Sequence, residues 1–177
     1  NIEIYANFDD GIEFFGGAVD ATNVLVWNCG DDGLDTDQSY NGEITNAVVI
    51  MNQEASASRP GDHGLELDGK EGDYAATNPT SASITKFTFK GNPGSEIGQL
   101  RDGKRVHISN VFAFNLSTEA GEGDLSIETN ADPTNKNHGE DEFVDGYSSF
   151  SDIEVVLPTG KTLEDIFPNH NTTHPGF

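Results

Sequence analysis

The residues FDDGIEFFGG at 8–17 recur as GDDGLDTDQS at 30–39 and, more loosely, as GDHGLELDGK at 61–70. The first two copies align without a gap at an offset of 22 residues, so that Asn1, Asp9, Asp10 and Gly11 meet Asn23, Asp31, Asp32 and Gly33. A unit this short cannot bury its own hydrophobic face and must stack on its neighbours. The repeat therefore limits the chain to a stack of coils, and it lines up acidic residues in columns.

A second element recurs with it. Asn1-Ile2-Glu3-Ile4-Tyr5 is followed by like segments opening at Asn23, Asn46, Lys86, Asn110 and Asp152, with spacings of 22, 23, 40, 24 and 42 residues. A basal period near 23 with two long insertions is the behaviour of a solenoid whose loops vary on one side. Alternation within each element has a period of two, the signature of strands. Ile2 and Ile4, Val24 and Val26, Phe87 and Phe89, and Ile153 and Val155 are expected to point inward. Ile12 and Phe14, Leu34 and Thr36, Leu65 and Leu67, and Leu125 and Ile127 do the same in the second element. Helical spacing is confined to TLEDIF at 162–167. The pattern predicts an all-β chain, a parallel β-helix of about six coils forming one domain over 1–177. Right-handed winding follows from the strong preference of parallel crossovers for that hand. Long loops are expected at about 53–62, 74–83 and 132–149, and a polar tail over 158–177. The chain opens directly on the strand pattern IEIYA, as a processed product or a piece lacking earlier coils would.

Net charge is −22, from 31 acidic and 9 basic residues. A field of that sign repels phosphate backbones and anionic membranes and attracts cations, so nucleic acid is excluded as a partner. Cys29 is the only cysteine, which rules out an intrachain disulfide, and a packing role is expected for it. No apolar run is long enough to cross a bilayer as a helix.

The outward positions next to the Gly of each motif carry the chemistry. Stacking puts Glu13, Asp35, Glu66 and Ser126 in one column and Phe15, Asp37, Asp68 and Glu128 in the next. At a rise of about 4.8 Å per coil, neighbouring carboxylates repel by about 0.9 kcal/mol in water and about 3.5 kcal/mol at an effective dielectric of 20. Relief comes from a hard cation, from a raised pKa on one member, or from an adjacent basic residue. An all-oxygen donor set favours Ca²⁺ over a transition metal, and Glu13, Asp35, Asp37, Glu66 and Asp68 are its candidate ligands. Asp9, Asp10, Asp31, Asp32 and Asp62 precede the Gly, where short acids cap backbone amides in tight turns. His63 shares the column of Asp10 and Asp32, with Arg59 and Lys70 nearby in sequence. Asp31, Asp32 and His63 are therefore the candidates for proton abstraction or glycosidic cleavage, if the module is catalytic. His107 reads as an ordinary strand residue, and His138, His170 and His174 lie in polar segments. The run GNPGSEIGQLRDGKR at 91–105 lacks the order of a phosphate loop.

The segment 9–44 resembles a family of secreted right-handed β-helix proteins of Bacteroidetes and marine bacteria. The shared elements are Asp9-Asp10, the turn Glu13-Phe14-Phe15-Gly16-Gly17, and Asp31-Asp32 with Asp35-Thr36-Asp37. The resemblance implies export and a β-helix. More distantly the pattern is similar to pectate lyases and polygalacturonases, which act on acidic polysaccharides through Ca²⁺ with an Arg or Lys base, or through an Asp trio around an Asp-Asp step. Asp31-Asp32 matches that step, while a Gly-His-Gly element is missing.

The expectation is a secreted or cell-surface acidic β-helix, structural or glycan-binding, with Ca²⁺ held by stacked carboxylates. Two alternatives stand beside it: a polysaccharide lyase or glycoside hydrolase, and a self-assembling extracellular protein whose coils associate end to end. The expected partner is an extracellular polysaccharide or another cell-surface component.

Overall fold

A computed structural model describes residues 1–53, 61–70, 81–127, 142–143 and 145–168. Arg59, Glu128, His138, His170 and His174 lie outside the described residues, as do most of the three expected long loops. The described strands are β1 (Ile2–Tyr5), β2 (Ile12–Phe15), β3 (Ala21–Trp27), β4 (Leu34–Asp37), β5 (Glu43–Ile50), β6 (His63–Asp68), β7 (Ala82–Lys90), β8 (Glu96–Arg101), β9 (Val106–Phe114), β10 (Leu125–Ile127) and β11 (Ser149–Val155). Odd-numbered strands form a sheet in the order β1-β3-β5-β7-β9-β11, and even-numbered strands a second sheet in the order β10-β8-β6-β4-β2. Every pairing is parallel. The described strands thus form a parallel β-helix of six coils, the sixth represented by β11 alone. A short helix, Leu163–Ile166, adds the fully buried Ile166 to the core.

The Asn that opens each recurring segment is not the first residue of its strand. Strands β3, β5, β7, β9 and β11 begin two to four residues earlier and pass through Asn23, Asn46, Lys86, Asn110 and Asp152, all at φ between 53° and 61°. This left-handed bend drops out of the ladder: Thr22 pairs with Thr45 and Val24 with Ala47, while Asn23 and Asn46 are skipped. Asn tolerates that conformation better than other residues with a Cβ. Stacking adds side-chain amide bonds, with Asn46 Nδ2 donating to Asn23 Oδ1 at 2.5 Å and Asn23 Nδ2 to Asn1 Oδ1 at 2.8 Å.

The Gly of the Asp-Asp-Gly step has a steric reason. A Cβ on Gly33 would stand 2.5 Å from Val49 Cγ1 and 2.8 Å from the Gly64 carbonyl oxygen. Gly11 faces Val26 and Gly64 faces Phe89 in the same way. The column lets the two sheets converge onto a core in which Val26, Leu34, Val49, Leu65, Leu67, Phe87 and Phe89 are fully buried. At the fourth coil the column residue is Ile97, and closeness passes to Gly98, whose Cβ would meet the Leu65 carbonyl at 2.6 Å.

That fourth coil lies within the run 91–105, where the repeat is not visible in the sequence. The run contributes β8, which pairs with β6 on one side and β10 on the other. Cys29 is buried at 1% exposure, and burial pushes its thiol up to about 12, in keeping with packing.

Gly33→Ala forces overlap with both sheets of the next coil at once. It is expected to cost about 1–3 kcal/mol, as overpacked cores do, read as a lower urea midpoint. Wild-type stability in this variant would contradict the close approach.

Candidate functional site

The turn entering the second sheet aligns Asp10, Asp32, His63 and Glu96 on four successive coils. Asp10 Oδ1 accepts from the Asp32 N–H at 3.1 Å, and Asp32 Oδ1 accepts from the His63 N–H at 2.7 Å. Each acid thus satisfies an amide of the coil above it, the turn role expected of the Asp-Asp step. Asp32 has a second task. Its Oδ1 lies 2.8 Å from His63 Nδ1, while Asp62 stands 3.8 Å from that nitrogen and Glu96 3.6 Å from Nε2. His63 is only 6% exposed. Burial opposes its charge most strongly, but the hydrogen bond and charge of Asp32, with Asp62 and Glu96, push it up to about 9. Three carboxylates around the ring thus favour its charged form.

Asp32 also hydrogen-bonds the Glu66 side chain. Burial alone would raise Asp32, yet the bonds from His63 and Glu66 outweigh it and hold its pKa below the usual value. Glu66 responds in the opposite sense: burial, then the bond to and charge of Asp32, push it up to about 9 against the pull of Arg101. Two acids sharing one proton explain both shifts. Arg101 also forks onto Asp68, with Nε to Oδ1 and Nη2 to Oδ2 both at 2.9 Å, and its Nη2 reaches Glu66 Oε1. This guanidinium sits on β8 in the register of Asp68.

The lower coils are arranged differently. One oxygen from each of Asp10, Glu13 and Asp35 lies within 4.8 Å of the others, and Asp9, Asp10 and Asp31 form a second such group. No ion pair reaches Asp10, Glu13 or Asp35 among the described residues. Asp35 faces outward but is covered, at 8% exposure. Burial first, then repulsion from Asp10, Asp32, Asp68 and Glu13, push it up to about 7. Burial, with repulsion from Asp32, Asp9 and Asp31, takes Asp10 to about 6. Asp31 is raised by burial and by Asp32, Asp62 and Asp9. Asp37 turns back on its own chain, its Oδ1 accepting from the Gln38 N–H and, at 3.3 Å, from Gln38 Nε2.

One cation lies beneath the acids. Lys104 is 2% exposed, donates to the Tyr40 carbonyl at 3.1 Å and sits 5.6 Å over the Tyr40 ring. Burial lowers its pKa to about 7 against the pull of Asp68, Asp35 and Asp37.

The five expected cation ligands therefore separate. Glu13 and Asp35 meet around Asp10, Glu66 and Asp68 meet around Arg101, and Asp37 binds its own turn. Of the expected catalytic set, Asp32 and His63 touch, while Asp31 groups with Asp9 and Asp10. The sequence reading missed Arg101, Glu96 and Lys104. Laying EIGQLR in register with HGLELD would have revealed the first two, whereas a lysine in a turn carries no mark of burial. Three carboxylates with no ion pair among the described residues could hold a hard cation at Asp10, Glu13 and Asp35. Glu66 and Asp68 are already engaged by a guanidinium.

Asp10, Asp35, Glu66 and Glu96, the last raised to about 7 by burial and Asp124, hold protons in the folded state that the unfolded chain releases above about pH 4. His63 acts in the same direction from its unfolded value up to about 9, so stability falls as pH rises. Lys104 opposes this only above about 7. Without divalent cations the urea midpoint is expected to fall from pH 5 to pH 8, less steeply in Glu66→Gln. A rising midpoint over that range would contradict the shared-proton arrangement.

The pectate-lyase-like β-helix domain family matches residues 1–174. No curated protein and no solved structure matches the chain. With two parallel sheets wound coil on coil and the family pattern running over nearly its whole length, the chain belongs to the pectate-lyase-like β-helix domain family.

Proposed function

We propose that this β-helix is a binding or structural module of the extracellular space, whose acidic lower coils hold Ca²⁺ and through it contact an acidic polysaccharide. The observation that carries the reading is the gathering of Asp10, Glu13 and Asp35 within 4.8 Å without an ion pair among the described residues. Repulsion and burial raise two of these three acids. A divalent cation removes that cost and leaves coordination positions for carboxylates of a glycan. Asp32 and Glu66 serve the stack in this reading, as the proton-sharing pair that seats His63.

Ca²⁺ at about a hundred times its Kd stabilises the native state by about 2.7 kcal/mol. The melting temperature is expected to rise with CaCl₂ at constant ionic strength, and Glu13→Gln and Asp35→Asn are expected to abolish the rise. Glu66→Gln keeps it. An unchanged melting temperature in the wild type would sink the cation site.

A second reading has its own observation. A protonated Glu66 beside an ionised Asp32 is the split that general acid and base chemistry at a glycosidic bond requires. Release of reducing ends or of unsaturated products from polyuronates and neutral glycans, lost in Asp32→Asn, would favour it. Under the binding reading the wild type releases neither.

A further inference from the structure

The outer surface of the odd-numbered sheet is unlike the acidic one. Beyond the left-handed bend, register places Tyr5, Trp27, Ile50, Lys90 and Phe114 in one outward column. Glu3, Leu25, Val48, Thr88 and Phe112 form the next. Tyr5 is 69% exposed, Trp27 49% and Phe112 37%. Tyr5 and Trp27 meet edge to face at 5.3 Å between ring centroids, and Phe112 and Phe114 stack at 5.3 Å. Beside these columns runs a furrow of about 290 Å³ whose walls include Asn23 and Asn46 of the amide ladder and the apolar Leu25 and Val48. On the far side of the ladder the same sheet presents Thr22, Thr45, Thr85, Ser109 and Ser151 in register.

An apolar and aromatic stripe and a hydroxyl stripe thus flank the line of left-handed residues, along roughly 24 Å of stack for six strands. That line is an amide ladder over Asn1, Asn23 and Asn46 and carries Lys86, Asn110 and Asp152 above them. Surfaces of this kind mark interaction sites. Charge selects the occupant. A second copy of this chain brings −22 with it, and an anionic glycan brings its own carboxylates, so at a face with no cation site to bridge them both are repelled by the field of the molecule. Over the four middle coils the two columns carry Lys90 as their one charge, with Glu3 and Glu154 at the two ends of the second column, so a neutral ligand meets a nearly uncharged surface between those ends. The C–H faces of a pyranose ring pack on exposed aromatic rings, while its hydroxyls bond amides and hydroxyls. We infer that this face binds a neutral polysaccharide chain lying along the stack, independently of any cation and on the sheet opposite the acidic columns.

Trp27 is the only tryptophan in the chain and lies within the stripe, so its emission reports occupancy directly. The test is titration of the whole chain, in EDTA, with cellohexaose, xylohexaose and laminarihexaose, followed by Trp emission and by calorimetry. At least one hexasaccharide is expected to give a saturable emission change in EDTA. Tyr5→Ala, at an exposed position that leaves the reporter in place, is expected to weaken it by about tenfold. Phe112→Ser is a second probe on a distant coil, and both variants are checked for wild-type melting. Glu13→Gln is expected to bind the hexasaccharide as the wild type does, which separates this face from the Ca²⁺ reading. Silence with all three sugars overturns the inference, and so does binding unchanged in both variants. Emission that shifts with protein concentration alone, with no sugar response, also overturns it and makes the face a contact between copies.

Discussion

In-register parallel stacking is the constraint on which the molecule depends, because it multiplies whatever stands at one position by the number of coils. A residue suited to a position on one coil is suited again about 4.8 Å higher. Gly11, Gly33 and Gly64 repeat because each lets its coil approach a large side chain of the other sheet. Asn23, Asn46 and Asn110 repeat because each takes the same left-handed bend. Asp10 and Asp32 repeat because each satisfies an amide on the coil above. The same multiplication is unfavourable for charge, since like carboxylates are brought together as surely as like glycines.

Along the acidic sheet the relief of that repulsion changes with height. Toward the fourth coil it comes from cations of the chain itself: Arg101 spans Glu66 and Asp68, and His63 sits among Asp32, Asp62 and Glu96. In the middle it comes from a proton, shared between Asp32 and Glu66. Around Asp10, Glu13 and Asp35 neither device is complete, and the raised pKa values of Asp10 and Asp35 record the remaining strain. The site proposed for an external cation lies where the internal ones stop. The odd-numbered sheet carries few charges over its aromatic columns, and the surface proposed for an uncharged ligand lies there.

The repeat made the coil count, the inward residues and the alignment of Glu13, Asp35 and Glu66 legible, because each follows from register alone. The missing half of the site follows from one lapse in the pattern. At the fourth coil Ile97 replaces the column glycine and no Asp-Asp step precedes it, so EIGQLR carries no mark of the repeat. With β8 unseen, Arg101 had no column and His63 had no Glu96. The burial of Lys104 was illegible for another reason: its ammonium reaches Tyr40, 64 residues away in sequence, and no local pattern announces such a contact. The strand starts were misplaced because a left-handed residue inside a strand looks, in sequence, like the turn before one.

The most direct measurement is a crystal structure grown with Ca²⁺ and read by the anomalous signal of the ion. An ion bound among the carboxylates of Asp10, Glu13 and Asp35, with Arg101 still forked on Asp68, is the predicted result. An ion between Glu66 and Asp68 with Arg101 displaced, or no ion on the acidic sheet, would contradict it.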